Sequence, residues 1–358
     1  MLFRSYKKFF LRRDELQAIR DGYIYIHDLN ARYDCINCCL FDVGNVLKGG
    51  FEMGNVFYNE PNSLDTAFDV IGDITLSAAS QQYGGFTLPQ IDEVLSRYAK
   101  KSYHKFMKEY EELHRDITSN PIDTAKQERY AMKKVTREME QGYQGLEYKF
   151  NTVASSRGDY PFITITYGLG TDTFARLATR TILRVHKEGQ GKEGQKKPVL
   201  FPKLVFLYTE DLHGEGKRNA DLYDMAIDTN AKTMYPDYLS LDGNTVLAKM
   251  YHTYGKVISP MGCRAFLSPW FKKGGMKPLD DTDEPVFVGR FNLGAISLNL
   301  PMIYQKAKVE KKPFHDVLDV YLEIIRTLHK RTYKFVGDMR ASTNLSQRDR
   351  STRLNSSH

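Results

Sequence analysis

Val257-Ile-Ser-Pro-Met-Gly-Cys-Arg-Ala-Phe-Leu-Ser-Pro269 and, after a polar excursion, Arg290-Phe-Asn-Leu-Gly-Ala-Ile-Ser-Leu-Asn-Leu-Pro301 decide how this chain reads. Pro260 and Gly262 flank Met261 just before Cys263, a pattern that excludes a helix interior and favours a tight loop tip. The apolar run Leu293–Leu300, bounded by Gly294 and Pro301, predicts a short buried strand. A cysteine on a loop tip beside buried strands is either a structural thiol or a sulfur delivered into a cleft. Residue type and spacing alone leave both readings open.

Working outward, the 358 residues are 41% hydrophobic and 27% charged, enough to bury a core of one large or two ordinary domains. No apolar stretch approaches the roughly 20 residues of a membrane-crossing helix. The N-terminus is basic but lacks an apolar segment followed by a small-residue cleavage site, so a cytoplasmic protein is expected. The net charge of +7 suits a polyanionic small substrate such as a nucleotide. The four cysteines, Cys35, Cys38, Cys39 and Cys263, do not form a disulfide framework, and three of them lie within five residues. Cys35-x2-Cys38 has the spacing of half a zinc site, but no second such pair or His pair completes it.

In chain order, residues 1–20 predict an amphipathic extension whose partner is absent. Tyr23–Leu29 alternates as a strand ending at His27-Asp28, which reads either as an acid–base pair or as a surface turn. Helices are expected from a Ser63 cap to Ala79, from Thr87 to about Arg115, and from Pro121 to about Phe150. Phe162–Tyr167 predicts a strand and Phe174–His186 a helix, with Gly168-Leu-Gly170 between them short of a dinucleotide fingerprint. Gly189–Lys197 fails as a phosphate loop, because Gln195 stands where the lysine is required. A strand over Val199–Tyr208 interrupted by Pro202, a helix over Asp221–Met234 with a turn at Pro236-Asp237, and a helix from Phe314 to about Phe335 complete an α/β pattern. Residues 344–358 are polar and non-periodic, and the run from Ser351 resembles a foreign tail.

Eight stretches together resemble one family, the anaerobic ribonucleoside-triphosphate reductases, which are glycyl-radical enzymes. They are IHDL at 26–29, NC at 37–38, FEMGN at 51–55, QYGG at 82–85, LFPKLVF at 200–206, MYPD at 234–237, SPMGCRAFL at 259–267 and NLGAISLNLP at 292–301. Order and spacing hold from about Arg20 to Leu328. The resemblance implies an α/β fold: part of a ten-stranded α/β barrel with a finger loop, spanning residues 21–343 and including interface helices at about 63–150. It implies that Cys263 is the thiyl-radical cysteine and that Cys38 is the second active-site cysteine. Asn292, Met261, Asn37 and His27 would line the substrate site. Cys35 and Cys39 have no counterpart in the pattern.

The same resemblance implies reduction of ribonucleoside triphosphates with formate as reductant. Expected partners are nucleotide effectors, a radical-activating enzyme that carries S-adenosylmethionine and an iron–sulfur cluster, and a second copy in a homodimer, with neither membrane nor nucleic acid. This chain would hold no cofactor, since the family's glycyl-radical segment, its preceding four-cysteine zinc site and its ATP-cone domain are not matched. A fragment inactive on its own is therefore expected. Two other readings remain: a nucleotide-binding or regulatory protein without chemistry, and another glycyl-radical enzyme such as a formate-lyase relative.

Overall fold

The computed structural model describes residues 10–29, 35–154, 160, 162–262 and 265–338. Five strands lie parallel: Cys39–Leu40 (β2), Phe86–Leu88 (β5), Ile163–Tyr167 (β6), Lys203–Tyr208 (β7) and Asp237–Ser240 (β8). Their spatial order is β8-β7-β6-β5-β2. Arg290–Phe291 (β9) adds on the far side of β2 in the antiparallel sense, with Cys39 opposite Phe291. The sheet is therefore mixed, a parallel set plus one reversed strand, as part of a two-halved barrel requires.

Sequential strands are joined through helices, which is how parallel neighbours must be connected. Leu64–Ser80 (α3) lies between β2 and β5, while Ile91–Ile117 (α4) and Thr124–Thr152 (α5) lie between β5 and β6. Thr173–Glu188 (α6) and Ala220–Thr233 (α8) follow β6 and β7, and the smaller elements are Val43–Leu47 (α2), Glu210–His213 (α7), Val246–Tyr254 (α9) and the hairpin of Phe51–Met53 (β3) with Val56–Tyr58 (β4). Ile163, Ile165 and Tyr167 are buried, and so are the intervening Thr164 and Thr166, because both faces of β6 are covered. One apolar cluster joins the sheet to α3, α4, α5 and α6, with Phe86, Tyr98, Tyr143, Phe150 and Phe206 fully enclosed. Each such side chain contributes about 1.5–3 kcal/mol by leaving water.

A second cluster lies at the chain's two ends. The ribbon of Ile24–Ile26 (β1) and Ile296–Leu298 (β10) is antiparallel, with Ile24 opposite Leu298. Arg13–Arg20 (α1), Leu300–Glu310 (α10) and Phe314–Asp338 (α11) pack with it through Ala18, Ile303, Val317, Tyr321 and Ile324. Tyr23 stacks on Tyr321 at 4.8 Å, and the buried Glu15 carboxylate accepts from the Arg331 guanidinium. The N-terminal helix thus has its partner within the chain, against the expectation that it was missing.

Several expectations need correction. The strand predicted over Leu293–Leu300 shrinks to Ile296–Leu298 and is half-exposed rather than buried, since its ladder is formed with β1 alone among the described strands. Thr87 does not begin a helix: Phe86–Leu88 is a strand, and the helix starts only after Gln90, in the left-handed region. The turn at Pro236-Asp237 leads into β8, which sequence analysis missed, as it missed β2. The Ser63 hydroxyl turns to the side chains of Asp65 and Thr66, and the first helical N–H, that of Leu64, donates to Ser102 Oγ at 2.8 Å instead. Among the described residues no helix is long and apolar enough to cross a membrane.

Candidate active site

The loop that carries Cys263 runs across the middle of the sheet. Cys263 and Arg264 lie outside the described residues, but the chain on either side is defined. Met261 N–H donates to Ala265 O at 2.7 Å, closing the tip, and Met261 itself is 1% exposed. Gly262 has φ +62°, a left-handed conformation that favours glycine at the bend. Its N–H donates to Thr87 Oγ1 at 3.1 Å, and its carbonyl accepts from Thr164 Oγ1. One turn earlier, Ser259 and Thr166 hydroxyls meet at 3.2 Å. Two fully buried threonines on neighbouring strands, Thr87 and Thr164, thereby satisfy peptide groups of the loop that would otherwise be orphaned in the core, and a third, Thr166, holds the Ser259 side chain.

The second cysteine lies beside this tip. Cys38 immediately precedes β2, and its sulfur accepts the Gly85 N–H at 3.1 Å. A Cβ placed on Gly262 would sit 3.6 Å from Cys38 Sγ, in ordinary contact, so the two reach the same point of the sheet. A Cβ on Gly85 would collide with the Gly262 backbone, and one on Gly84 would come within 2.6 Å of Cys38 Sγ. The Gly84-Gly85 pair is what lets loop and cysteine approach.

Asn292 faces Cys38 across the reversed strand. Asn292 N–H donates to Cys38 O at 2.9 Å, Asn37 N–H donates to Asn292 O at 3.0 Å, and Asn292 Oδ1 accepts from Cys38 N–H at 3.2 Å. The Tyr83 hydroxyl donates to Leu293 O at 3.0 Å, fastening the QYGG turn to the same strand. Cys38, Asn37, Asn292 and the Met261-Gly262 tip are therefore brought together. His27 sits on the β1 ribbon, its Nε2 2.8 Å from Ser297 Oγ and its ring edge-on to Tyr25.

This arrangement is a thiol beside a rigidly held loop tip at the seam between parallel and reversed strands. A family model described as anaerobic ribonucleoside-triphosphate reductase matches residues 3–350. The chain belongs to the anaerobic ribonucleoside-triphosphate reductase family. It is 38% identical to the Escherichia coli K12 reductase over 319 residues, covering 88% of this chain and 41% of that relative. It is 35% identical to the phage T4 reductase over 292 residues, or 80% of this chain and 44% of that one. The chain thus spans less than half the length of the curated reductases it matches. Solved structures of the Thermotoga maritima anaerobic ribonucleotide reductase share the fold at low identity. The complex with dATP and CTP superposes with a TM-score of 0.58 at 14% identity, covering 96% of this chain and 52% of that one. The form with citrate in its active site gives 0.61 at 13%, covering 96% and 57%.

Sequence reasoning on this reductase-family chain missed Thr87, Thr164, Thr166 and Gln82. The signal for two of them was present: in Phe-Ile-Thr-Ile-Thr-Tyr at 162–167 the threonines alternate, so both face the same side of a strand. Gln82 is 4% exposed, with every polar atom of its side chain engaged, but a lone glutamine before Tyr-Gly-Gly carries no such periodic mark.

Proposed function

We propose that this protein reduces ribonucleoside triphosphates to 2′-deoxyribonucleoside triphosphates by thiyl-radical chemistry at Cys263 and Cys38, with formate as reductant. One observation supports this above the others: the Cys38 sulfur lies against Gly262, the residue before Cys263, with Asn292 locked to the Cys38 backbone. A glycyl radical, on the family segment that these 358 residues do not match and made by an activating enzyme with S-adenosylmethionine and an iron–sulfur cluster, would supply the one-electron oxidation this chemistry needs. Cys263 takes the ribose 3′ hydrogen and returns it at the end. The 2′ hydroxyl leaves as water with a proton, Cys38 gives its hydrogen atom to C2′, and formate returns a hydrogen atom to the Cys38 sulfur and an electron to the sugar as it leaves as carbon dioxide, a proton from solvent completing the balance. Thr87 and Thr164 hold the peptide before Cys263 still, and the covered sheet keeps out water that would divert a radical.

In the same reading the protein is a cytoplasmic homodimer joined through the helices of residues 64–152. A groove of about 460 Å³ among α3, α4 and α5 is the candidate effector site, with Lys134, Arg137 and Lys149 beside Phe68 and Phe106 and with Asp65, Asp69 and Glu138 also on its wall, Lys149 paired with Asp69.

The test is anaerobic turnover, after radical activation, of a polypeptide in which this chain is continued by the family's glycyl-radical segment, comparing wild type with Cys38→Ser and Cys263→Ser. Both variants should keep nucleotide binding and lose deoxynucleotide formation by at least about 10³-fold, the scale of removing a group that acts in the chemical step. A Cys38→Ser variant that turns over at the wild-type rate would sink the proposal. Binding without any reduction by the activated wild type would favour the regulatory reading.

A further inference from the structure

Gln82 belongs to no strand or helix, yet its amide is fully used. Its Nε2 donates to Gly85 O at 2.8 Å and to Gly84 O at 3.1 Å, and its Oε1 accepts from Cys39 Sγ at 3.2 Å. The chemistry of the partners assigns the orientation: two carbonyls require the NH2 end, and the one thiol requires the oxygen. Gly85 O also accepts the Cys39 N–H at 3.0 Å, and Gly84 N–H donates to Asn37 O at 2.8 Å. The Gly84-Gly85 turn is therefore tied from both sides. Its one outward product is the Gly85 N–H, aimed at Cys38 Sγ from 3.1 Å.

We infer that Gln82, oriented by the Cys39 thiol, is a positioning residue that aims the Gly85 N–H at the Cys38 sulfur. The inference rests on the proposed role of Cys38, but its geometry can be read without turnover. An N–H pointed at a sulfur favours the thiolate, the form that reacts with alkylating agents. Without the Gln82 amide the Gly85 peptide has lost the clamp that sets its plane. Neither glycine has a side chain with which to restore it. Cys39, otherwise an unassigned member of the cysteine cluster, thus gains a function that needs only its S–H donor. Cys39 is 3% exposed and Cys38 is partly exposed, so a soluble reagent discriminates between them.

The experiment is iodoacetamide alkylation of the folded protein, followed peptide by peptide by mass spectrometry. The rate at Cys38 near neutral pH is divided by its rate at strongly alkaline pH, which cancels changes in access and leaves ionisation. Gln82→Leu should lower that ratio about tenfold, the effect of one lost hydrogen bond to an anionic sulfur. Cys39→Ala should lower it in the same direction, and Cys39→Ser, which keeps a donor for Gln82, should restore it. The cysteine variants decide the matter should Gln82→Leu fail to fold. An unchanged ratio in Cys39→Ala, or one equally lowered in Cys39→Ala and Cys39→Ser, overturns the inference. Turnover of the same variants tests the reductase reading separately: a lowered ratio with no reduction in activated wild type would leave Gln82 in place and remove the function.

Discussion

The helical layer of α3, α4 and α5 and the strand seam around Cys38 are both tightly packed, but by opposite means. On α5 the buried apolar residues Ala131, Val135, Met139, Tyr143, Leu146 and Phe150 form one stripe at three- and four-residue spacing, with lysines, arginines and the other glutamates on the other faces and only Glu147, against His186, and Gln127 buried among the polar ones. At the seam the contacts are glycine backbone against glycine backbone, threonine hydroxyl against peptide, and amide against thiol. Side-chain volume builds the first region, so it can absorb small errors by rotamer change. The second is built from main chain and short polar groups, which have nowhere to go. Precision in a site that places two sulfurs comes from this lack of slack.

The sharpest way to break that comparison is one methyl group in each region. Gly85→Ala would drive a Cβ into the Gly262 backbone, where only a displacement of the loop gives relief. We expect a loss of about 3 kcal/mol in chemical denaturation, at the upper end for overpacking, and loss of turnover. Gly142→Ala in α5 also meets a neighbour, the buried Phe68 ring at its Cδ2 and Cγ, so relief needs that side chain or α3 to shift, but no backbone atom is among the nearest neighbours. The gain of about 1 kcal/mol from replacing a helical glycine offsets part of the clash, leaving a net cost of about 1–2 kcal/mol. Equal losses in the two variants would show that seam and layer tolerate crowding alike.

How far each region could be read in advance follows from the same physics. The helices over 64–80, 124–152, 173–188, 220–233 and 314–338 announce themselves because a repeat of 3.6 accumulates over many residues. The strands at the seam, Cys39–Leu40, Phe86–Leu88 and Arg290–Phe291, hold two or three residues each, too few for an alternation to show. Cys38, Asn37 and Asn292 were reachable through family motifs, and the structure brings them together. Thr87 and Thr164 were not reached, because their importance lies in which distant peptide each one meets, nor was Gln82, whose oxygen meets a thiol 43 residues away. His27 was grouped with them by resemblance, and its side-chain hydrogen bond here is with Ser297 on the paired strand of the same ribbon.

A smaller change probes the hydroxyls. Thr87→Val keeps the shape and suits a strand, but leaves the Gly262 N–H buried without its acceptor. A cost of about 1–3 kcal/mol is expected, and Thr87→Ser, which retains the oxygen, should recover most of it. On α5 the hydroxyl of Thr136 bonds to the Met132 carbonyl of its own helix, whose ladder is already complete. Thr136→Val should therefore shift stability by under about 0.5 kcal/mol. Urea midpoints of the three variants suffice, and a Thr87→Val protein as stable as wild type would remove the claim that hydroxyls secure the loop.

Mild acid should produce the smallest effect and should also divide the two regions. His213 is buried behind β6, with Nε2 3.0 Å from Gly168 O and Nδ1 3.1 Å from Thr209 O. Burial pushes its imidazole below the ordinary histidine value, against the pull of those two carbonyls. The folded state therefore binds this proton less readily than the unfolded chain. Its contribution to stability is complete above the unfolded value of about 6.5 and is lost as pH falls from there through the lowered folded value. In the helical layer Glu109 is held below the usual carboxylate range by the Tyr130 hydroxyl first and Lys134 next, so its contribution survives until far stronger acid. Between about pH 7 and pH 5, amide exchange should thus accelerate at the C-terminal end of β6, around Tyr167 and Gly168, while α5 stays protected. His213→Gln should flatten the response at β6 alone. If α5 loses protection over the same interval, or the glutamine variant responds as wild type does, the acid sensitivity of the sheet does not reside in this histidine.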